Sequence, residues 1–196
     1  MNAGSEHWRP LALGLAAAVL CLGAAAAQPM PLDERIALCG ACHGEDGNSR
    51  IENTPSLAGQ PEFFLANQLI LMREGVRKVE AMAPFVKGLA DDTIVALAKH
   101  YASLPPKPSD NPVDPAKVKR GAALAEALRC GSCHLPDLSG QEQMPRLARQ
   151  RIDFMFEAMK QYRDDRRSGA DTQMTAVVVG VPDADLEALA HYAASK

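Results

Sequence analysis

Residues 39–44 read Cys39-Gly40-Ala41-Cys42-His43-Gly44, and 91 positions later residues 130–135 read Cys130-Gly131-Ser132-Cys133-His134-Leu135. The duplication extends outward from both motifs. Pro55-Ser56-Leu57-Ala58-Gly59-Gln60 pairs with Pro145-Arg146-Leu147-Ala148-Arg149-Gln150 at an offset of 90, and Met82 to Ala98 pairs with Met174 to Ala190 at an offset of 92. Small insertions fall between blocks and the order of motifs is kept, so the chain is one module of roughly 85 residues written twice, an ordinary size for a small domain. Residues 104–115 between the copies hold five prolines in twelve positions. Such a run cannot continue a helix and favours extended geometry, which makes a semi-rigid spacer. The expected organisation is a domain at 28–104, a Pro-rich linker at 105–112 and a second domain at 113–196.

Within each copy the apolar pattern has helical period. Ile94, Leu97, Ala98 and Tyr101 follow i, i+3, i+4, i+7, and Leu186, Leu189, Ala190 and Ala193 repeat that spacing, with Asp91 and Asp183 as expected N-caps. Residues 61–74 and 150–164 predict a middle helix in each copy. Asp114-Pro115 opens a helix running to Arg129, with proline at the favoured first position, and residues 31–38 supply a shorter counterpart. No alternating strand run occurs; Val177-Val178-Val179 is β-prone but short. The predicted class is all-α.

Arg9 precedes an apolar stretch, Leu11 to Ala27, that ends in four alanines before Gln28. Charged end, apolar core and small-residue site are the layout of a secretory signal peptide, with residues 1–27 removed. An uncleaved anchor is the alternative, and 17 residues is the short limit for spanning a bilayer. Cys21 departs with the leader; acylation of Cys21 is disfavoured by the bulky Leu20 before it. The mature chain then keeps two cysteine pairs and no spare thiol in an oxidising compartment, the periplasm. Over all 196 residues, 47% apolar and 23% charged content excludes disordered, collagenous and polytopic membrane classes. With 21 basic against 24 acidic residues, no field exists to hold nucleic acid, and any membrane association is peripheral.

Two Cys-X-X-Cys-His motifs at matching places in a repeat point to covalent haem attachment. Thiols three residues apart on a helical turn can each add to one vinyl group of the macrocycle, while the adjacent imidazole reaches the iron. A thioredoxin-like redox pair needs a β-α-β setting, which is absent, and zinc would lack a clear fourth ligand. A large flat apolar cofactor also answers the difficulty that small domains bury limited surface. Cys39, Cys42, Cys130 and Cys133 are therefore the expected attachment thiols of two haem c groups, with His43 and His134 as axial ligands. Met82 and Met174 lie 39 and 40 residues after those histidines, at the same repeat position and in stretches expected to be non-helical. They are the expected distal ligands, and a thioether there raises the reduction potential. Met72, Met155 and Met159 are expected as packing, and His100 and His191 as solvent-facing.

The order of Cys39-Gly-Ala-Cys42-His43-Gly44, Pro55-Ser-Leu-Ala-Gly-Gln60, Met82 and a closing helix, given twice, resembles the di-haem cytochrome c4 family over essentially all of the mature chain. The resemblance implies two tandem class I cytochrome c domains related by a pseudo-twofold, with haems near the interface. It also implies that the Pro55 and Pro145 carbonyls accept from the proximal imidazoles, which orients each ring. Leu135 in place of Gly44 and Arg149 in place of Gly59 depart from the first copy and are expected to alter the turn beside the second haem; the first copy in turn has Met30 where the second has Gly121, which implies a different packing of its opening and closing helices.

The function expected on these grounds is one-electron transfer between respiratory partners rather than catalysis: a membrane oxidase, a cytochrome bc complex or a dehydrogenase. The competing readings are a cytochrome subunit tightly bound to a dehydrogenase, as in flavocytochrome c sulfide dehydrogenases, and a haem enzyme or gas sensor, which needs an open iron site. Residues 28–110 hold 8 basic and 11 acidic residues against 12 of each in 111–196, an asymmetry able to orient docking. Arg146, Arg149, Arg151, Arg163, Arg166 and Arg167 concentrate positive charge in the second copy, as a docking face or as ordinary surface and propionate pairing.

Overall fold

The computed structural model describes Met1, residues 30–169 and residues 172–196. The expected leader with Cys21 and His7 lies, Met1 apart, outside the described residues. Among the described residues the regular structure is helical, with one isolated bridge between Gln141 and Met144. The first half holds α1 (Leu32–His43), α2 (Glu62–Arg73), α3 (Ala83–Val86) and α4 (Asp91–Ser103). The second half holds α5 (Pro115–Ala127), α6 (Gly131–His134), α7 (Ile152–Arg163), α8 (Thr172–Val178) and α9 (Asp183–Ala194).

The closing helices bury the stripe that their periodicity predicts: Ile94, Leu97, Ala98 and Tyr101 on α4, and Leu186, Leu189, Ala190 and Ala193 on α9. Each fully buried Ile or Leu contributes about 1.5–3 kcal/mol relative to exposure, so these two stripes dominate their cores. α4 packs against α1 and α2, and α9 against α5 and α7. Asp114 caps α5, accepting from Ala116 N–H at 2.8 Å and Lys117 N–H at 3.3 Å. Asp91 and Asp183 do not act as N-caps. They are the first helical residues, behind Ala90 and Pro182, and their carboxylates turn outward to arginines on the middle helices.

Gly121 on α5 faces α9 closely enough that a Cβ would sit 2.1 Å from Ala188 O. That contact carries the α5–α9 crossing, and α5 leads directly to Cys130. The equivalent α1–α4 contact of the first half has no glycine at that place: Met30 stands there and is exposed.

The proline-rich stretch is pinned at both ends. Asn48 Nδ2 donates to Pro105 O at 3.2 Å and Lys107 pairs with Asp46 at 2.6 Å on the first half. On the second, Arg149 Nη1 donates to Pro106 O at 3.0 Å, Arg151 pairs with Asp110 at 2.6 Å and Ile152 N–H donates to Asn111 Oδ1 at 3.0 Å. Arg151, buried at the junction, also pairs with Asp153 at 2.8 Å. No described helix is long and apolar enough to cross a membrane.

Candidate haem sites

α1 carries Cys39, Cys42 and His43 on its last turns and stops at Gly44, whose φ is +86°. A Cβ there would lie 2.4 Å from Asn48 O, so the turn requires glycine. The second half reaches the same end by a broken route. α5 finishes at Ala127, Arg129 takes φ +57°, and the single turn α6 carries Cys133 and His134 before Leu135 at φ +67°. Leu135 and Arg149 thus keep the left-handed backbone of Gly44 and Gly59, whose φ values are +86° and +64°. Leu135 and Arg149 therefore carry local backbone strain that glycine would not, and the loop from His134 to Pro145 is one residue shorter than that from His43 to Pro55.

His43 Nδ1 donates to Pro55 O at 2.8 Å, and His134 Nδ1 donates to Pro145 O at 2.8 Å. A proton held on Nδ1 leaves the Nε2 lone pair free to bind a metal. Burial pushes both imidazoles below the ordinary histidine range, with the carbonyl bond acting the other way, so both rings are neutral at neutral pH. Burial likewise raises the Cys39 and Cys130 thiols.

Both motifs open on one continuous cavity of about 830 Å³ that crosses from one half to the other. Cys39, His43 and Met82 lie on its wall in the first half and Cys130, Cys133, His134 and Met174 in the second. Cys42 is exposed and does not line the cavity. The remaining lining is mainly apolar: Phe64, Leu65, Met72 and Leu97 on one side, Phe154, Met155, Met159 and Tyr192 on the other. This lining suits a large flat apolar group. The carboxylates of such a group would also find a cation. Arg146 is 3% exposed and lines the cavity, and its Nη2 is buried without a hydrogen-bond partner among the described residues. Burial, with Arg149 nearby, lowers the Arg146 guanidinium to about 10, which still leaves it cationic at neutral pH. The residues present therefore fit a porphyrin bearing propionates.

Met82 and Met174 are both half-buried; Met82 lies in a turn, outside the helix as expected, as the N-cap of α3, whereas Met174 lies inside α8 rather than in an irregular stretch. Met155 is buried core, and Met72 and Met159 pack against the cores, as expected. His191 is not solvent-facing. It is buried, and its Nδ1 accepts from Asp114 N–H at 3.1 Å, tying α9 to the start of α5. His100 is half-buried, edge-on to the Tyr101 ring at 4.9 Å. The arginines of the second copy do not form one docking face: Arg146 and Arg151 are buried at the junction.

A repeated pair escaped the sequence reading. Arg73 Nη1 donates to Leu89 O at 2.8 Å and to Asp91 at 2.6 Å. Its equivalent Arg163 Nη1 donates to Val181 O at 3.1 Å and pairs with Asp183. Each clasp ties a middle helix to the base of the segment bearing the methionine. The signal was present in the repeat, as Arg73/Arg163 at an offset of 90 and Asp91/Asp183 at 92.

The sequence profile of the Cytochrome c family matches residues 118–195. Cytochrome c4 of Pseudomonas aeruginosa is 33% identical over 193 residues, covering 93% of this chain and 93% of that protein. The chain belongs to the cytochrome c4 family. The crystal structure of reduced recombinant cytochrome c4 from Pseudomonas stutzeri superposes with a TM-score of 0.76 at 31% identity, over 84% of this chain and 96% of that one. A thiosulfate dehydrogenase electron acceptor of Thiomonas intermedia is 35% identical over 176 residues, 82% of this chain and 79% of that protein. The fold is thus all-α with tandem cytochrome c domains, and this cytochrome c4 relative is a di-haem electron-transfer protein working with redox protein partners. Two covalent haem c groups are its cofactors, and the pairs Cys39/Cys42 and Cys130/Cys133 fit them.

Proposed function

We propose that the chain is a periplasmic one-electron carrier between respiratory partners, delivering towards a terminal oxidase, and that each haem iron is held by a histidine and a methionine. The axial ligands are His43 and Met82 in a domain at 28–104 and His134 and Met174 in a domain at 113–196, after removal of residues 1–27. When bound, each haem supplies one reversible one-electron couple of its iron.

The protein's own residues do the rest. Cys39, Cys42, Cys130 and Cys133 tether the groups. His43 and His134 present Nε2 with their rings fixed by Pro55 and Pro145. The Met82 and Met174 sulfurs, soft donors, favour the reduced metal. Arg73 and Arg163 hold the methionine segments in place, and the apolar wall excludes water. An arrangement that keeps both axial positions filled leaves no place for substrate, which favours transfer over catalysis. The observation that carries the reading is the repeated pair of buried histidines, each lining the cavity with its Nδ1 bonded to a proline carbonyl.

The reduced protein should decline carbon monoxide on the timescale of mixing. Rapid stoichiometric binding would contradict two filled axial positions. The second reading, a cytochrome tightly bound to a dehydrogenase, draws support from the likeness to a thiosulfate dehydrogenase electron acceptor. Purification from the native host separates the two: co-elution with a dehydrogenase in fixed ratio would replace the free carrier.

A further inference from the structure

Gln60 and Gln150 close the two Pro-X-Leu-Ala-X-Gln segments, and both side chains reach across the junction. Gln150 Oε1 accepts from Ser56 N–H at 2.8 Å and Gln150 Nε2 donates to Ser56 O at 2.9 Å. Reciprocally, Gln60 Oε1 accepts from Arg146 N–H at 2.9 Å and Gln60 Nε2 donates to Arg146 O at 3.0 Å. All four residues are buried, so water does not take over these bonds.

The residues gripped are the ones that follow Pro55 and Pro145. Ser56 N–H and Pro55 C=O belong to a single planar peptide unit, as do Arg146 N–H and Pro145 C=O. A continuous chain therefore runs from the Gln150 carbonyl oxygen, through the Pro55–Ser56 peptide, to the Nδ1 proton of His43. Its mirror runs from Gln60 through the Pro145–Arg146 peptide to His134. Hydrogen bonds in series polarise one another, so an acceptor on the peptide N–H makes its carbonyl a stronger acceptor. A stronger bond at Nδ1 raises the basicity of the imidazole as a ligand and favours the oxidised metal.

We propose that each glutamine is a positioning residue for the opposite half: Gln150 tunes the haem on His43, and Gln60 tunes the haem on His134. The two redox centres are wired crosswise, and the junction is part of what sets their potentials. This rests on His43 and His134 being axial ligands.

The test uses the full-length holoprotein and the variants Gln150→Met and Gln60→Met, which keep side-chain bulk and remove the amide. Haem methyl resonances are assigned to each half and followed through a redox titration. Gln150→Met is expected to move the first-half haem about threefold towards the reduced form, about 28 mV at 59 mV per tenfold, and to leave the second in place. Gln60→Met is expected to do the reverse. Ser168→Ala serves as the control, removing another bond across the junction, from Lys78 N–H at 2.8 Å, and should move neither. In the reduced protein the Nδ1 proton resonance of His43 should shift upfield in Gln150→Met while that of His134 holds still, a readout available even if that variant is less stable. A shift in the half that owns the glutamine, equal shifts in both halves, or none overturns the proposal. Failure of the ligand reading is distinguishable, because the unsubstituted oxidised protein would then lack hyperfine-shifted ring signals from His43 and His134.

Discussion

Replacing Gly121 by alanine adds one carbon at the most crowded point of the second half. The new Cβ would meet Ala188 O at 2.1 Å, Ala188 C at 2.6 Å and Tyr192 Cβ at 2.7 Å. Two of those atoms are backbone of α9, so no rotamer change relieves the clash and the helices must part by about 1 Å before contact is ordinary. Overpacking of this kind costs about 1–3 kcal/mol, and a backbone obstacle puts it at the upper end. The better helix propensity of alanine returns about 1 kcal/mol. The net loss of about 2 kcal/mol corresponds to a fall in melting temperature of about 8–16 °C for a domain of this size. The separation also reaches the chemistry, because α5 runs into the turn that bears Cys130. Thermal unfolding of the holoprotein followed at the far ultraviolet and at the haem absorbance checks it. A melting temperature equal to or above that of the parent would refute the claim that this crossing is close-packed.

Met82→Ala and Met174→Ala should each open one axial position and lower that haem's potential by more than about 59 mV, a tenfold change in its equilibrium; unchanged potentials and spectra in a redox titration would remove these residues as ligands. Arg146→Met should lower the potential of the haem whose carboxylate it pairs with, since losing a buried cation favours the more positive oxidised metal; spectroelectrochemistry decides, and a rise would count against the pairing. His191 is held below its ordinary value of 6.5, chiefly by burial and then by Lys117, with Glu187 and Asp114 acting the other way. The unfolded chain therefore binds its proton first, and this part of the stability is present above pH 6.5 and lost as pH falls from there towards the folded value. Chemical denaturation of the parent and of His191→Gln across that range should show a steeper acid loss in the parent; parallel curves would contradict it.

Much of the fold is local and so is visible in the residues: the i, i+3, i+4, i+7 stripes of α4 and α9, the Asp114-Pro115 start of α5, and the two Cys-X-X-Cys-His turns. The proposed attachment thiols and their histidines follow for the same reason, since each set spans a single helical turn. What the sequence hides is long-range. Gln60 and Gln150 look like surface polar residues until residues 86 and 94 positions away supply their partners. Burial of Arg146, Arg151 and His191 runs against the usual exposure of charged and polar types, and only the closed junction and the capped α5 explain it. Met174 falls inside a helix because α8, despite the β-prone Val177 and Val178 at its end, packs Val178 into the core with Leu186 and Leu189 of α9.

The central claim is tested most directly by counting haem. The protein, exported from a host that attaches haem c, is weighed by intact mass and assayed as its pyridine haemochrome. The account predicts two covalent haems per chain, bound through Cys39/Cys42 and Cys130/Cys133; a colourless protein, or one haem per chain, would contradict it.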